Sequence, residues 1–408
     1  MKLTQLIASA VCVMALGAPD AQAGEAVRSA GKLAFADGGT LFMADWQGAR
    51  IHAFSVPQPA RAAGKPFNLK DVQGPIATAL RVDRSSLRFE DMAVQPGAEI
   101  AYVSLSIQRG NSSPAPALVS INADGLVKVI NLKTTASTSA TIADAPSPEL
   151  KFWRDMPAQS LTVTGMTFHA NKLYVAGLSN RTFASTLRIY DYPFSGRAKT
   201  STVETYHPVH NQIETRAPIR TMAIVDIAGA PTMIAAFTCT PLVAIPLSDL
   251  KDGAHVAAKT IAELGWGSEP IDLVTFNAGG TDFALIVNSS RAADLIPLSS
   301  IADGVAKPGL REPIKWPNEP LAGVKAIMAP LSAVTQLDNL NKDLLLALRR
   351  DDASGNMQLV TIPKGAYLRV SDFVNEYDFA GFQYQPGDGF REYHKLFHAL
   401  EGYPELAN

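Results

Sequence analysis

The stretch LAFADGGTLFMADWQGARIHAF, Leu33 to Phe54, decides how the chain is read. It runs strand, Asp-Gly-Gly turn, strand, polar loop, strand. Apolar and β-branched runs are bounded by turn residues, the signature of an antiparallel meander. Related units recur along the chain. They are Met92 to Ser106 with Ala117 to Leu132, Met166 to Phe194, Met222 to Leu247, Val274 to Leu298, and Ile327 to Pro363. Amphipathic helical periodicity is nearly absent before residue 385.

The units align on their first strand. Phe89-Glu90-Asp91-Met92 matches Val163-Thr164-Gly165-Met166, Ile219-Arg220-Thr221-Met222 and Ile271-Asp272-Leu273-Val274. Val324-Lys325-Ala326-Ile327 is a weaker fifth match. Starts lie roughly 50 to 75 residues apart, the repeat length of four-stranded propeller blades. The expected fold is all-β: a β-propeller of six or seven blades over residues 24–366, with inner strands near Met92, Met166, Met222, Val274 and Ile327. A seventh blade has room in the insert between Leu132 and Leu161 or at the C-terminus. Two sandwich domains are the alternative all-β reading. The tail, 367–408, departs from the pattern, and Asp388 is placed to cap a short helix, Phe390 to Leu400.

Asp37-Gly38-Gly39 followed by LFMADWQGARIHAF resembles the blades of NHL-type, SMP-30/gluconolactonase-like and quinoprotein-like propellers. The resemblance covers one blade well and the others loosely. It implies a ligand face at the channel mouth, where the loops between second and third strands meet the entries to the inner strands. It also implies, for a gluconolactonase-like hydrolase, an ion held by Glu90, Asn288 and Asp272.

Composition narrows the function classes. The chain has 408 residues, of which 47% are hydrophobic and 18% charged, against a usual charged share of about 25%. This excludes a disordered chain. Net charge is -2, with no basic block, so nucleic acid is not an expected partner. Lys2, the apolar run Leu6 to Leu16 and Ala21-Gln22-Ala23 make a secretory leader over residues 1–23, with a mature start at Gly24. Cleavage would remove Cys12 and leave Cys239 without a disulfide partner. Ile227 to Leu247 is uncharged and long enough to cross a bilayer. Its Gly229, Pro231, Pro241 and Pro246 favour two strands joined by a turn, so no span is expected in the mature chain.

Three residue sets carry candidate chemistry. Polar runs follow the second strands: Asp45-Trp46, Gln108-Arg109, Ser179-Asn180-Arg181, Thr238-Cys239-Thr240, Asn288-Ser289-Ser290-Arg291 and Arg349-Arg350-Asp351. Glu90, Thr164, Arg220, Asp272 and Lys325 share the inner-strand register and are expected to ring the channel mouth, with Arg220 paired to Glu90 or Asp272. Glu90, Arg220, Asp272 and Lys325, together with Asn288 and Arg291, form the expected ligand-binding set. The densest segment is Thr205 to Arg220, with His207, His210, Glu214 and Arg216. Imidazoles and a carboxylate suit one divalent metal ion, and Cys239 is expected on the same face. His394 and His398 lie four apart on the expected tail helix, but residue 395 is Lys, so no H-E-x-x-H motif exists.

These features favour a periplasmic or secreted, monomeric binding or assembly propeller whose partner is a small molecule or a periplasmic protein. A metal-dependent hydrolase and a periplasmic redox or metal accessory protein are the alternatives. Export predicts that mass spectrometry of the released protein finds Gly24 at its N-terminus. A chain retaining Met1 in the membrane fraction would contradict it.

Overall fold

Second strands such as TLFMA, AYVSL, LYVAGL, TMIAAF, FALIV and LLLAL are apolar on both faces. Continuous apolar strands require a cover on each side, and the fold supplies it by packing sheet on sheet. In the computed structural model the described residues are 26–36, 39–59, 64–110, 112–265, 268–315, 321–366 and 381–387. The expected leader, Asp37-Gly38, and the expected tail helix with Asp388, His394 and His398 lie outside them.

The chain is mostly β with few helices. β1 (Leu33–Ala36), β2 (Thr40–Asp45) and β3 (Arg50–Ser55) form the first meander. β4 (Asn68–Leu69) and helix α1 (Gln73–Leu80) precede the second: β5 (Leu87–Gln95), β6 (Ile100–Ile107), β7 (Ala115–Ile121) and β8 (Val127–Val129). β9 (Ser137–Thr141) then returns to pair with β3. The third meander is β10 (Gly165–His169), β11 (Lys172–Leu178), β12 (Ser185–Asp191) and β13 (Lys199–His207), with β14 (Gln212–Glu214) folded back on β13. The fourth is β15 (Ile219–Ile227), β16 (Ala230–Phe237), β17 (Pro241–Pro246) and β18 (His255–Glu263). Parallel pairing of β13 with β18 joins these two into one ten-stranded sheet. The fifth is β19 (Pro270–Ala278), β20 (Thr281–Asn288) and β21 (Ala293–Pro297). After helix α2 (Leu298–Ala306), β22 (Ala322–Gly323) pairs with β18 and β23 (Ile327–Ala329) completes the fifth meander. The sixth is β24 (Val334–Asn339), β25 (Leu344–Arg350) and β26 (Met357–Pro363), completed by β4.

The arrangement is propeller-like. The innermost strands touch in a closed cycle, β1–β10–β15–β19–β24–β5 and back to β1. Each neighbouring pair of meanders encloses its own apolar layer. Leu41 and Met43 pack with Tyr102 and Leu118 between the first and second. Phe42 packs with Leu173 and Val175 between the first and third. Tyr174 and Leu187 meet Met233 and Phe237, Ile234 and Leu242 meet Ile286, Leu285 meets Leu345, and Leu346 and Leu359 meet Val103 and Leu105.

Spatial and sequence order differ. The second meander sits between the first and the sixth. The chain leaves the first sheet, lays β4 on the sixth, builds the second, and returns through β9. The insert between Leu132 and Leu161 therefore supplies the outer strand of the first sheet and contains no further meander. Ile327 is corrected as well: it lies in β23, an outer strand, and the sixth inner strand is β24. The segment Ile227 to Leu247 is the β16–β17 hairpin. Among the described residues no helix is long and apolar enough to cross a membrane.

Among the described residues, Arg188 on β12 is the largest fully buried side chain. Its Nε donates to Asp144 Oδ1 at 2.6 Å, Nη1 to the Thr162 carbonyl at 2.9 Å and Nη2 to the Leu178 carbonyl at 2.7 Å. Asp144 belongs to the segment returning from β9, so this one guanidinium ties the third meander to the first. Gly177 permits the arrangement, because a Cβ there would stand 2.0 Å from the Thr162 carbonyl oxygen. Removing one member of a buried ion pair costs about 3–5 kcal/mol. Arg188→Met should lose that much in denaturant unfolding; an unchanged midpoint would contradict the cross-link.

Candidate functional site

A β-bulge recurs near the start of four inner strands. Register shifts fall between Phe89 and Asp91, Ile219 and Thr221, Pro270 and Asp272, and Val334 and Gln336. A bulge adds one residue and turns its side chain out of register. Glu90, Arg220, Ile271 and Thr335 are the extra residues, so Asp91 and Asp272 share the inward position.

All six inner strands line one cavity of about 260 Å³ on the axis of the cycle. Its charged lining is Lys32, Asp91, Arg220, Asp272 and Asp338. Lys32 Nζ lies 3.2 Å from Asp91 Oδ1 and 3.9 Å from Asp272 Oδ1. The carboxylates also accept backbone bonds across the seams. Asp91 takes Leu33 N–H at 2.7 Å, Asp272 takes Leu337 N–H at 2.8 Å and Asp338 takes Val94 N–H at 2.7 Å.

Burial sets the protonation here. It pushes Asp272 up to about 7 against the pull of Lys32, and Asp338 up to about 6 against its backbone donors. Asp91 is raised for the same reason. Burial lowers Lys32, but attraction to Asp91 and Asp272 outweighs it and the net shift is upward.

Arg220 and Asp272 thus line the cavity, but the expected pairing of Arg220 with Glu90 or Asp272 is not found. Arg220 Nη2 is 3.9 Å from Glu269 Oε2, and its Nε is buried without a partner. Glu90 pairs with Arg88 at 3.4 Å. Lys325 lies between β22 and β23, on the outer side of the fifth sheet, because the true inner strand begins at Val334. Thr164 is buried and donates to the Ile219 carbonyl. Asn288 and Arg291 are engaged together with Asp294: Arg291 is bidentate at 2.9 and 2.7 Å, and Asn288 Nδ2 donates at 3.0 Å. Glu90, Asn288 and Asp272 therefore do not converge on one ion.

The second group assembles at the seam of the third and fourth meanders. His207 ends β13, Glu214 ends β14, His210 is in the turn between them, and Cys239 is in the β16–β17 turn. Glu214 Oε1 lies 2.9 Å from His207 Nδ1 and 2.5 Å from His210 Nδ1. The two rings are 4.0 Å apart. His207 is fully buried, and its Nε2 lies 3.7 Å from Glu263 Oε2, with neither atom hydrogen-bonded. Burial pulls the His207 ring toward neutrality, but the Cys239 and Glu214 side chains and the Glu263 charge prevail and lift it to about 9. Burial likewise raises Glu214, yet its bonds to the two imidazoles hold it down at about 2. None of these residues lines the axial cavity, so Arg220 is separate from them. Lys32, Asp91, Asp338 and Glu263 escaped the sequence reading. The carboxylate one residue past Glu90 was the available signal for Asp91.

No family model matches the chain, and no curated protein matches it. Solved structures similar to it include a bifunctional GH43-CE protein of Bacteroides eggerthii, with 13% identity, 73% of this chain and 34% of that chain covered, and a TM-score of 0.35. The PQQ-bound aldose sugar dehydrogenase of Streptomyces coelicolor has 12% identity, 84% and 96% coverage, and a TM-score of 0.33. The chain spans about a third of the first structure's length.

Folding raises the pKa of Asp272 and Asp338, so the folded chain keeps protons that the unfolded chain has released. Their favourable contribution is complete below the ordinary carboxylate range and is lost as pH rises through about 6 and 7. Thermal stability should therefore fall from pH 5 to pH 8. Asp272→Asn, which keeps an acceptor for Leu337, should flatten that fall. An equally steep profile in the variant would show that Asp272 is ionised throughout.

Proposed function

We propose that the protein is an exported β-propeller of six blades that binds a small anionic molecule at the mouth of its axial channel. Six inner strands in one cycle, with an apolar layer at every seam, support the blade count. The leader-like N-terminus supports export to the periplasm or the medium. The observation that carries the binding role is Arg220. A guanidinium in a cavity keeps its charge, and this one has a buried Nε without a partner and a loose ion pair to Glu269 at 3.9 Å. A carboxylate on the ligand would answer it with two parallel hydrogen bonds. Asp272, poised near neutrality, would accept from or donate to a ligand hydroxyl.

A gluconolactonase-like hydrolase is less well supported, because Asn288 is engaged by Asp294 and Glu90 by Arg88. A metal-accessory role rests on other residues, those at the seam of the third and fourth meanders.

The test is calorimetric titration of the exported protein with small carboxylic acids: hydroxy acids, amino acids and sugar acids. One class should bind, and Arg220→Met should weaken it at least about tenfold, or 1.4 kcal/mol, without lowering the melting temperature of the free protein. Equal affinity in the variant, or no binding by any class, would overturn the reading.

A further inference from the structure

We propose that His207, His210 and Cys239 form a binding site for a borderline-soft divalent metal ion of the Zn²⁺ class, with Glu214 as the carboxylate that orients both imidazoles. The site is independent of the channel reading, since it shares no residue with the axial cavity.

The first argument is donor geometry. One nitrogen of each ring and the Cys239 sulfur lie within 4.8 Å of one another. An ion with bonds of about 2.0–2.3 Å holds its donors roughly 3.5 Å apart in a tetrahedron. Small side-chain rotations close the difference. The second argument is the shared carboxylate. Glu214 Oε1 engages the Nδ1 of both rings, at 2.9 and 2.5 Å. A metal-binding histidine characteristically donates its other ring N–H to a carboxylate, which fixes the tautomer and turns the free nitrogen to the ion. Here one oxygen does this for two rings at once.

The third argument is an unanswered buried atom. His207 is fully buried, and its Nε2 has no hydrogen-bond partner. The nearby Glu263 Oε2 is equally buried and unpartnered, 3.7 Å away. Buried polar atoms are rarely left so. An ion between them would satisfy the imidazole nitrogen and offer Glu263 as a fourth donor. The fourth argument is backbone strain. Cys239 has φ of 75°, in the left-handed region that residues other than glycine seldom enter. The β16–β17 turn holds the thiol in this conformation beside the two rings. Such strain persists where the surroundings fix it, and it clusters at ligand clamps.

The donor set selects the metal. A thiolate and two imidazoles favour Zn²⁺ and its soft neighbours over Ca²⁺ or Mg²⁺, which take oxygen. Binding would release the thiol proton and any proton on His207.

The test uses the exported protein after chelation, titrated with Co²⁺ as a spectroscopic probe and with Zn²⁺. One equivalent should bind. Co²⁺ should give a thiolate-to-metal charge-transfer band, and Zn²⁺ should protect Cys239 from alkylation. Cys239→Ser should abolish the band. His210→Ala, at a half-exposed position outside the core, should weaken Zn²⁺ at least tenfold. Arg220→Met should leave all of this unchanged. A folded wild-type protein that binds neither ion stoichiometrically would overturn the proposal. So would a Co²⁺ spectrum indifferent to Cys239→Ser.

Discussion

The ring depends on three carboxylates that reach across seams. Each inner strand has one edge with no strand beside it, and its N–H groups need acceptors. Asp91 accepts from Leu33, Asp272 from Leu337 and Asp338 from Val94. Two of these bonds fasten the second meander to its neighbours in space, the first and the sixth, and the joint with the sixth brings together meanders that are not consecutive in sequence. The third fastens the fifth to the sixth. The same carboxylates give the axial cavity its charge, and Lys32 offsets part of it. Structure and site thus draw on one set of side chains. Burial that is costly for a carboxylate is tolerated because each also receives a backbone donor.

Much of this framework was legible in the sequence, and its gaps have physical causes. Met92, Met166, Met222 and Val274 all fall on inner strands, because each starts a short β-rich run after a polar entry. The sixth inner strand, VTQLDN, is polar where it faces the cavity, so the apolar pattern points to Ile327 instead. The sequence pattern aligns Glu90 with Asp272, but both strands carry the bulge and the residue that matches Asp272 is Asp91, one position on. A slip of one residue exchanges the faces of a strand, and a bulge has no composition of its own. β4 and β9, with sequences NL and STSAT, carry no apolar pattern at all. The crossing of the chain between sheets was therefore invisible.

The seam cluster was more legible than the channel. His207, His210 and Glu214 are close in sequence, and a β-turn brings them together locally. Cys239 could be placed near them once the repeat fixed the end of β16. Glu263 could not, because its position depends on the parallel pairing of β13 with β18. Arg188 was missed for a related reason. Its partner Asp144 lies on the returning segment, and a lone arginine within a strand gives no hint of full burial.

The central claim is that side-chain carboxylates seal the inner edges of a closed ring. Native-state hydrogen exchange at the amides of Leu33, Val94 and Leu337 tests it most directly. These amides face the axis rather than a paired strand, yet each is bonded to a carboxylate that lines the axial cavity. The account predicts opening free energies close to that of global unfolding. Exchange at the rate of free edge amides, while the paired faces of the same strands stay protected, would contradict it.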